Sequence, residues 1–509
     1  MLCRALLVLR ILLASAIRRI LTMHFPAVDL FVSQTRQRPT ADRLVQVEII
    51  SFSEIISAFS VALDITQGHP QGHSMRSCLI GMRMAQDLRL SAGERSALFY
   101  ALLLKDLGCS SNAAKIAHLF GADDRQVKHS IRMIDWTNPI QGLSNCWTNC
   151  CSGGSTIEKM LRMGAILRSG LEGGRKITEI RCERGAEIAR TLQLTESTAQ
   201  AILDLDEHWN GGGNPRRLKG KEISLLGRIC CVAQTVEVFF TTYGLSSACD
   251  MARTRRKRWF DPELVDVLLA IESDTKFWAT LDSTDLAAEI SKWEPQDVML
   301  LADEQRMDQI ADAFARVVDA KSPWTCMHST RVAEIAVGIA GQLGCSAGLL
   351  QDIRWAGLLH DIGKLGVSNL ILDKPGKLTD DEFAEIRKHA EYSYLILQRV
   401  GAFRELAAVA AAHHERLDGK GYHRGLVDSD ISFATRILTV ADVYESLTAD
   451  RPYRKAMNWE QAQAILVRDS GTAFDPVCVK ALQTWHDQHA LLDRIDRQLE
   501  ALECAASGL

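Results

Sequence analysis

The chain repeats itself, and a duplicated chain must build one fold twice. His73-Ser74-Met75-Arg76 returns as His328-Ser329-Thr330-Arg331, and Leu104-Lys105-Asp106-Leu107-Gly108 returns as Leu359-His360-Asp361-Ile362-Gly363. Both pairs are 255 residues apart, so the histidine-to-aspartate spacing is 33 in each copy. Further along, Asn210-Gly211-Gly212-Gly213 matches Asp418-Gly419-Lys420-Gly421, and Arg228-Ile229 matches Arg436-Ile437, now at an offset of 208. Phe260-Asp261-Pro262 then matches Phe474-Asp475-Pro476. Short matches in one order with kept gaps identify tandem copies.

Each copy reads as helical. After His328, the apolar residues Val332, Ile335, Ala336, Ile339 and Leu343 recur at the spacing of a buried helix face, with Gly344 as the stop. Ile80, Met84 and Leu88 repeat the face in the first copy. Strand-like alternation is scarce. The segment around Lys292-Trp293-Glu294-Pro295 separates the copies as a linker or connecting helix. The basic run Arg253 to Arg258 reads as a solvated helix face in preference to a phosphate contact.

Charge and cysteine usage narrow the function. With 59 basic and 63 acidic side chains the net charge is -4, which gives no general attraction to nucleic acid or anionic lipid. Fourteen cysteines without framework spacing, the Cys146, Cys150, Cys151 group included, suit reduced thiols in a cytoplasmic protein. At the N-terminus, Arg4, Arg10, Arg18 and Arg19 break the apolar runs well short of the roughly 20 residues that span a bilayer. A membrane-surface helix, or a true start at Met23, are the readings left there. No other apolar stretch reaches membrane length, so no transmembrane segment is expected.

The chemistry gathers in the second copy. His328, His360, Asp361, His389, His413, His414 and Asp442 include five of the 14 histidines and fall within 115 residues. Imidazole and carboxylate together suit a divalent transition metal. A His-Asp doublet offers one imidazole and a carboxylate able to bridge two ions. Two bridged ions are the arrangement that clamps a phosphoryl displacement.

His360-Asp361-Ile362-Gly363-Lys364 and His413-His414-Glu415-Arg416-Leu417-Asp418-Gly419-Lys420-Gly421-Tyr422 resemble the two signatures of the HD-GYP family. That family is an all-helical branch of the HD phosphohydrolases whose characterised members hydrolyse cyclic di-GMP to a linear dinucleotide or GMP. The resemblance is strong over roughly 305 to 490 and weak over roughly 50 to 270. It implies an all-α chain of two tandem HD-type helical bundles, the first degenerate. Its parts are an N-terminal tail (1–45), a degenerate HD-like domain (46–272), a linker (273–304), a catalytic domain (305–492) and a C-terminal tail (493–509).

Carried over by position, the resemblance makes His328, His360, Asp361, His389, His413, His414 and Asp442 the ligands of two divalent ions, iron first and manganese second. Asp361 is the bridge, and Lys364 lies near the scissile phosphate. Arg451, Tyr453 and Arg454 of Arg451-Pro452-Tyr453-Arg454 become phosphate contacts, or else a structural loop. Asp418, Gly419, Gly421 and Tyr422 form the signature loop. Three residues depart from the pattern: His423 replaces the signature proline, Trp324 stands where some members carry a third-metal glutamate, and Ser393 replaces a common glycine.

The first copy keeps the scaffold and loses ligands. Lys105 replaces the doublet histidine, Leu205-Asp206 the His413-His414 pair, and Gln234 the last aspartate, while Lys128-His129 echoes Lys388-His389. Asp106 is expected to pair with Lys105 or cap a helix, and Gly211-Gly212-Gly213 to form a turn. The expected function is metal-dependent hydrolysis of cyclic di-GMP by the second copy, with a homodimer and signalling partners in view. The alternatives are an HD phosphohydrolase acting on another cyclic or linear nucleotide, and a scaffold that binds nucleotide without turnover.

Overall fold

The computed structural model describes residues 44–45, 50–151, 154–295 and 300–507 of the 509. The basic N-terminal stretch, and with it the Met23 question, lies outside the described residues. Within them the chain is all-α, apart from one two-residue antiparallel pair, Ile50–Ser51 with Leu301–Ala302.

Both copies start from the same device. The helices His73–Asp87 and His328–Gln342 each open on their histidine, behind a residue at positive φ (Gly72, +90°; Met327, +61°). A carboxylate from the preceding helix caps each N-terminus. Asp64 accepts from Ser74 N (3.0 Å) and Ser74 Oγ (2.7 Å), and Asp319 accepts from Ser329 N (3.2 Å) and Oγ (2.8 Å). The negative cap meets the positive end of the helix dipole. Burial lifts both carboxyls, Asp64 to about 7 and Asp319 to about 6. The predicted face after His328 is buried at Val332, Ile335, Ala336 and Ile339, and Gly344 follows the helix at φ +70°.

One hydrophobic core runs through both copies. Its axle is the helix Phe52–Thr66, which is buried on nearly every face and so must lie inside the molecule. Phe59 on this helix packs against Phe314 (ring centroids 4.3 Å) and Phe403 (6.2 Å), both from the second copy. The same helix lies against the 3-10 turn Ile362–Gly366 and the helix Asp380–Leu397. Residues 273–304 contribute two short helices, Thr275–Thr280 and Leu286–Ser291, which bury Phe277, Trp278 and Ile290.

Two sequence expectations change here. The helix Leu225–Tyr243 is long and apolar enough to cross a membrane, contrary to the reading that no further stretch reaches that length. Two-thirds of its apolar window (67%) is buried inside the protein, as a core helix requires. The basic run is solvent-facing only in part. Arg253, Arg256 and Arg258 pair with Asp250, Asp266 and Asp135, while Arg255 is buried with its guanidinium 3.9 Å over the Trp259 ring.

A shared core makes the copies one cooperative unit. Phe59→Ala should cost about 3–5 kcal/mol and shift a single unfolding transition in urea. A loss confined to one of two separate transitions would contradict the shared core.

Candidate metal centre

Five helical segments bring the seven predicted donors together. His328 opens one helix, and His360-Asp361 ends the helix Ala347–Leu359 and begins the 3-10 turn Ile362–Gly366. His389 comes from Asp380–Leu397, His413-His414 follows Arg404–Ala411, and Asp442 comes from Phe433–Thr448. Asp361 lies between them. Its Oδ2 is 3.3 Å from both His328 Nε2 and His360 Nε2, and Asp442 Oδ1 is 3.4 Å from His328 Nε2. Its Oδ1 faces the other way, 3.4 Å from His389 Nε2 and 3.8 Å from His413 Nε2. His389, His413 and His414 form a compact group of their own, with His414 Nδ1 4.0 Å from Asp442 Oδ2.

The outer hydrogen bonds leave the inner atoms free to ligate. His360 Nδ1 donates to Gly357 O (2.7 Å), His389 Nδ1 to Ile386 O (2.6 Å) and His413 Nδ1 to Ala410 O, three residues back in each case. A donor hydrogen fixed on Nδ1 turns the Nε2 lone pair inward, which is how metal-ligating imidazoles are oriented. His328 Nε2, His360 Nε2 and Asp361 Oδ1 are buried without a hydrogen-bond partner. Orphaned buried polar atoms of this kind are costly unless an ion satisfies them, so the donor set fits a metal.

Electrostatics divide the cluster. Burial would lower the His360 imidazolium, but the Asp361 and Asp442 carboxylates raise it to about 9. Burial likewise opposes charge on His328, yet the adjacent Asp361, Asp442 and Glu445 carboxylates raise it well above its usual value. On the other side, burial pushes His389 down to about 4, His414 to about 3, and His413 lower too. Those three rings stay neutral and ready to bind.

Several residues around the donors differ from expectation. Lys364 Nζ pairs with Asp361 Oδ2 and is 20% exposed, at the mouth of the cluster. Arg454 does not point at a substrate, because Leu447 O (2.8 Å), Lys455 O (2.9 Å) and Ser446 O (2.6 Å) occupy its guanidinium at the end of the Phe433–Thr448 helix. Arg451 bonds Glu445 Oε2 (3.2 Å) and Ser446 Oγ (2.9 Å), so it supports a ligand's support. Tyr453 is 67% exposed, and Trp324 is 40% exposed. In the signature loop Asp418 pairs with Arg416 (2.8 Å) and accepts from Lys420 N, and Gly419 sits at φ +73°. A Cβ on Gly421 would meet the Glu415 backbone at 2.4 Å, so only glycine fits. The Tyr422 ring lies 4.7 Å from the His414 ring.

Three supporting residues went unnoticed in the sequence. Glu445 holds His328 Nδ1, and its counterpart 208 residues earlier, Glu237, holds His73 Nδ1. Glu415 accepts from Arg424 N (2.7 Å) and Leu426 N (2.9 Å), as Glu207 does from Arg216 N (2.6 Å) and Leu218 N (3.0 Å). The repeat offset itself was the signal for both. Ser393, noted only as a departure, takes Gly363 N–H on its buried hydroxyl (2.9 Å) and donates to His360 O (2.7 Å).

In the first copy, cations stand where the second has ligands. A Cβ on Gly363 would fall 2.0 Å from His389 O, and one on Gly108 would fall 1.8 Å from Arg181 O. Arg181, not His129, is therefore the counterpart of His389. The doublet-to-ligand spacing is 73 residues from Gly108 to Arg181 against 26 from Gly363 to His389, so an insertion lies between doublet and counterpart in the first copy. As expected, Lys105 pairs with Asp106. Arg181 pairs with Asp206, and Arg132 from the insertion lies 3.7 Å from Asp106 and 3.6 Å from Asp206. Gln234 donates to Leu205 O at 3.2 Å. Among the described residues, every cluster able to hold a metal is in the second copy.

Because the neighbouring carboxylates hold the His360 imidazolium to about pH 9 and raise His328 as well, a binding metal must displace protons. Metal affinity should therefore rise with pH up to about 9 and then level off. Proton release on titrating metal into the protein at pH 7, falling away above pH 9, is the expected record.

Comparison with known proteins agrees with this geometry. The HD domain family model matches residues 172–264 and 312–478, one span in each copy. The 3'3'-cGAMP-specific phosphodiesterase 3 of Vibrio cholerae is 42% identical over 85% of this chain and 94% of its own. A crystal structure of a cyclic GMP-AMP specific phosphodiesterase of V. cholerae superposes with a TM-score of 0.61 at 38% identity, covering 86% of this chain and 98% of that one. A cyclic di-GMP phosphodiesterase of Pseudomonas aeruginosa is 34% identical over 42% of this chain and 55% of its own, so the chain spans about half of it. The chain belongs to the HD domain family, as a metal-dependent phosphohydrolase of the HD-GYP branch with a degenerate first copy.

Proposed function

We propose that the protein is a phosphodiesterase of 3'3'-cyclic dinucleotides, acting first on cyclic GMP-AMP, with its chemistry in the second copy. The observation that carries this reading is the position of Asp361, whose two carboxylate oxygens each face a separate donor group. His328, His360, Asp442 and Asp361 Oδ2 would hold one divalent ion, and His389, His413, His414 and Asp361 Oδ1 a second. Five imidazoles and two carboxylates suit divalent transition metals, and iron before manganese is the order that the HD-GYP resemblance implies. When bound, such ions supply Lewis acidity and a nucleophile at neutral pH.

The rest falls to the chain's own groups. Glu445, held by Arg451, keeps the His328 ring aligned. Lys364 sits where its ammonium can meet the non-bridging phosphoryl oxygens and offset their developing charge. Tyr422, flanked by His414 and by the Arg387 guanidinium 5.2 Å from its ring, forms one wall for an entering base.

The cyclic GMP-AMP reading is supported by the relative that matches both copies nearly end to end. Cyclic di-GMP is the second reading, favoured by relatives that match only about a third to two-fifths of this chain. The test uses full-length protein loaded anaerobically with iron or manganese and given each dinucleotide separately. Cyclic GMP-AMP should be opened faster, and Asp361→Ala should lose both turnover and bound metal. Lys364→Ala should keep the metal while kcat falls about 10²–10³-fold. Faster hydrolysis of cyclic di-GMP would exchange the two readings, and metal binding without turnover of either would refute both.

A further inference from the structure

The insertion that separates Gly108 from Arg181 makes the first copy 47 residues longer than the second at this point. It contains the helix Asp124–Arg132, and this helix has two different ends. At its C-terminal end His129 lies against His69 (3.4 Å between Nδ1 atoms), and Arg132 enters the cation-filled pocket. Its N-terminal end reaches the catalytic copy. Arg125 Nη1 donates to the carbonyl of Gly366, the last residue of the turn that carries Lys364. Asp124 Oδ1 accepts from the backbone N–H of Asn369 (3.2 Å).

Both contacts are built, not incidental. Asp123 holds the Arg125 guanidinium from behind at 2.9 and 3.2 Å, which aims its remaining donor. Asp124 is fully buried between Lys128 (3.1 Å) and Lys321 of the second copy (3.6 Å). Lys128 is fixed in turn by Cys109 O at 2.9 Å. Asn369 completes the joint by donating to Lys321 O (2.7 Å) and Asp373 (2.8 Å).

The catalytic turn is thus pinned at two points. Gly363 is held by Ser393 within its own copy, and Gly366 is held by Arg125 from the other. Lys364 stands between the pins. A Cβ on Gly366 would press on Tyr392 at 2.8 Å and on Ile65 of the first copy at 3.2 Å, so the turn has little room to shift while both pins hold.

We propose that Arg125, seconded by Asp124, is a positioning residue for phosphodiester hydrolysis: the non-catalytic copy fixes the turn that presents Lys364 to the substrate. This rests on the phosphodiesterase reading, in which Lys364 meets the phosphate. Removing the guanidinium leaves the Gly366 carbonyl without its partner and frees one end of the turn, while all seven donors keep their own supports. Small misplacements of a group that acts on the transition state are expensive in rate.

The test is a double-mutant cycle in the full-length, metal-loaded protein with Arg125→Ala, Lys364→Ala and the pair combined. Arg125→Ala should lower kcat about tenfold, with KM, metal content and melting temperature nearly unchanged. Arg125→Lys, which keeps one donor for one carbonyl, should recover most of the loss. In the Lys364→Ala background Arg125→Ala should have no further effect, because residues acting through one group are not additive. Multiplying effects, a fall in bound metal, or full activity of Arg125→Ala would each overturn the proposal. The cycle is run in parallel on bis(p-nitrophenyl) phosphate, a diester with no purine to recognise. Failure of the cyclic-dinucleotide reading then shows as wild-type inactivity on dinucleotides alone, separately from the outcome of the cycle.

Discussion

A buried aspartate at the centre of each bundle is the constraint around which both copies are arranged. Asp106 and Asp361 occupy the same place after the same helix, and both are excluded from water. A carboxylate in such a place needs positive charge beside it, since an unpaired buried ion is strongly destabilising. In the second copy the charge comes from protons on His328 and His360 or from the ions that displace them. In the first it is covalently installed: Lys105 pairs with Asp106, Arg181 with Asp206, and Arg132 lies near both. Degeneration here means exchange of a removable cation for a permanent one, and the bundle survives because its central anion is still answered.

What the copies share separates the needs of the fold from the needs of the chemistry. The Asp–Ser cap ahead of each opening histidine, the glutamate on its Nδ1, and the loop-clamping Glu207 and Glu415 occur in both. So do the arginines Arg228 and Arg436, each tying an isoleucine carbonyl (3.1 and 3.0 Å) to a helix-capping aspartate. The first copy, which has no metal cluster among the described residues, has kept all of them, so they are parts of the scaffold. What changed are groups facing the centre: Lys105 stands for His360, Arg181 for His389, Leu205-Asp206 for His413-His414 and Gln234 for Asp442. The first copy's opening histidine, His73, persists because Glu237 still uses it structurally.

The parts legible in the sequence were those written in short-range pattern. Helical periodicity placed the face after His328, and the ligand types at their spacings brought out all seven donors that the fold gathers. Less legible were features that depend on chain length or on partners far away in sequence. The Arg181 counterpart was hidden by the insertion, which moved the repeat offset from 255 to 208 and left Lys128-His129 as a nearer, wrong match. Arg454 looked like a phosphate contact because guanidinium suits phosphate, and a helix end with free carbonyls suits it equally well. Leu225–Tyr243 escaped notice as an apolar span because in a soluble core such a helix is ordinary, and its burial shows it serving as one here.

The insertion also bears on why the degenerate copy remains joined to the one that gathers the donors. A duplicate that served only to fill out the core would need its apolar faces and nothing else. This one also sends a buried carboxylate, Asp124, and a held guanidinium, Arg125, across to polar backbone groups of its neighbour. Burying such groups at a junction is unfavourable unless each finds its partner, and here each does so on a turn next to the donors. The catalytic bundle in turn leaves Gly366 O and Asn369 N–H for the other copy to satisfy. The halves are complementary at that turn as well as in their shared apolar core, and the first copy braces the turn that carries Lys364.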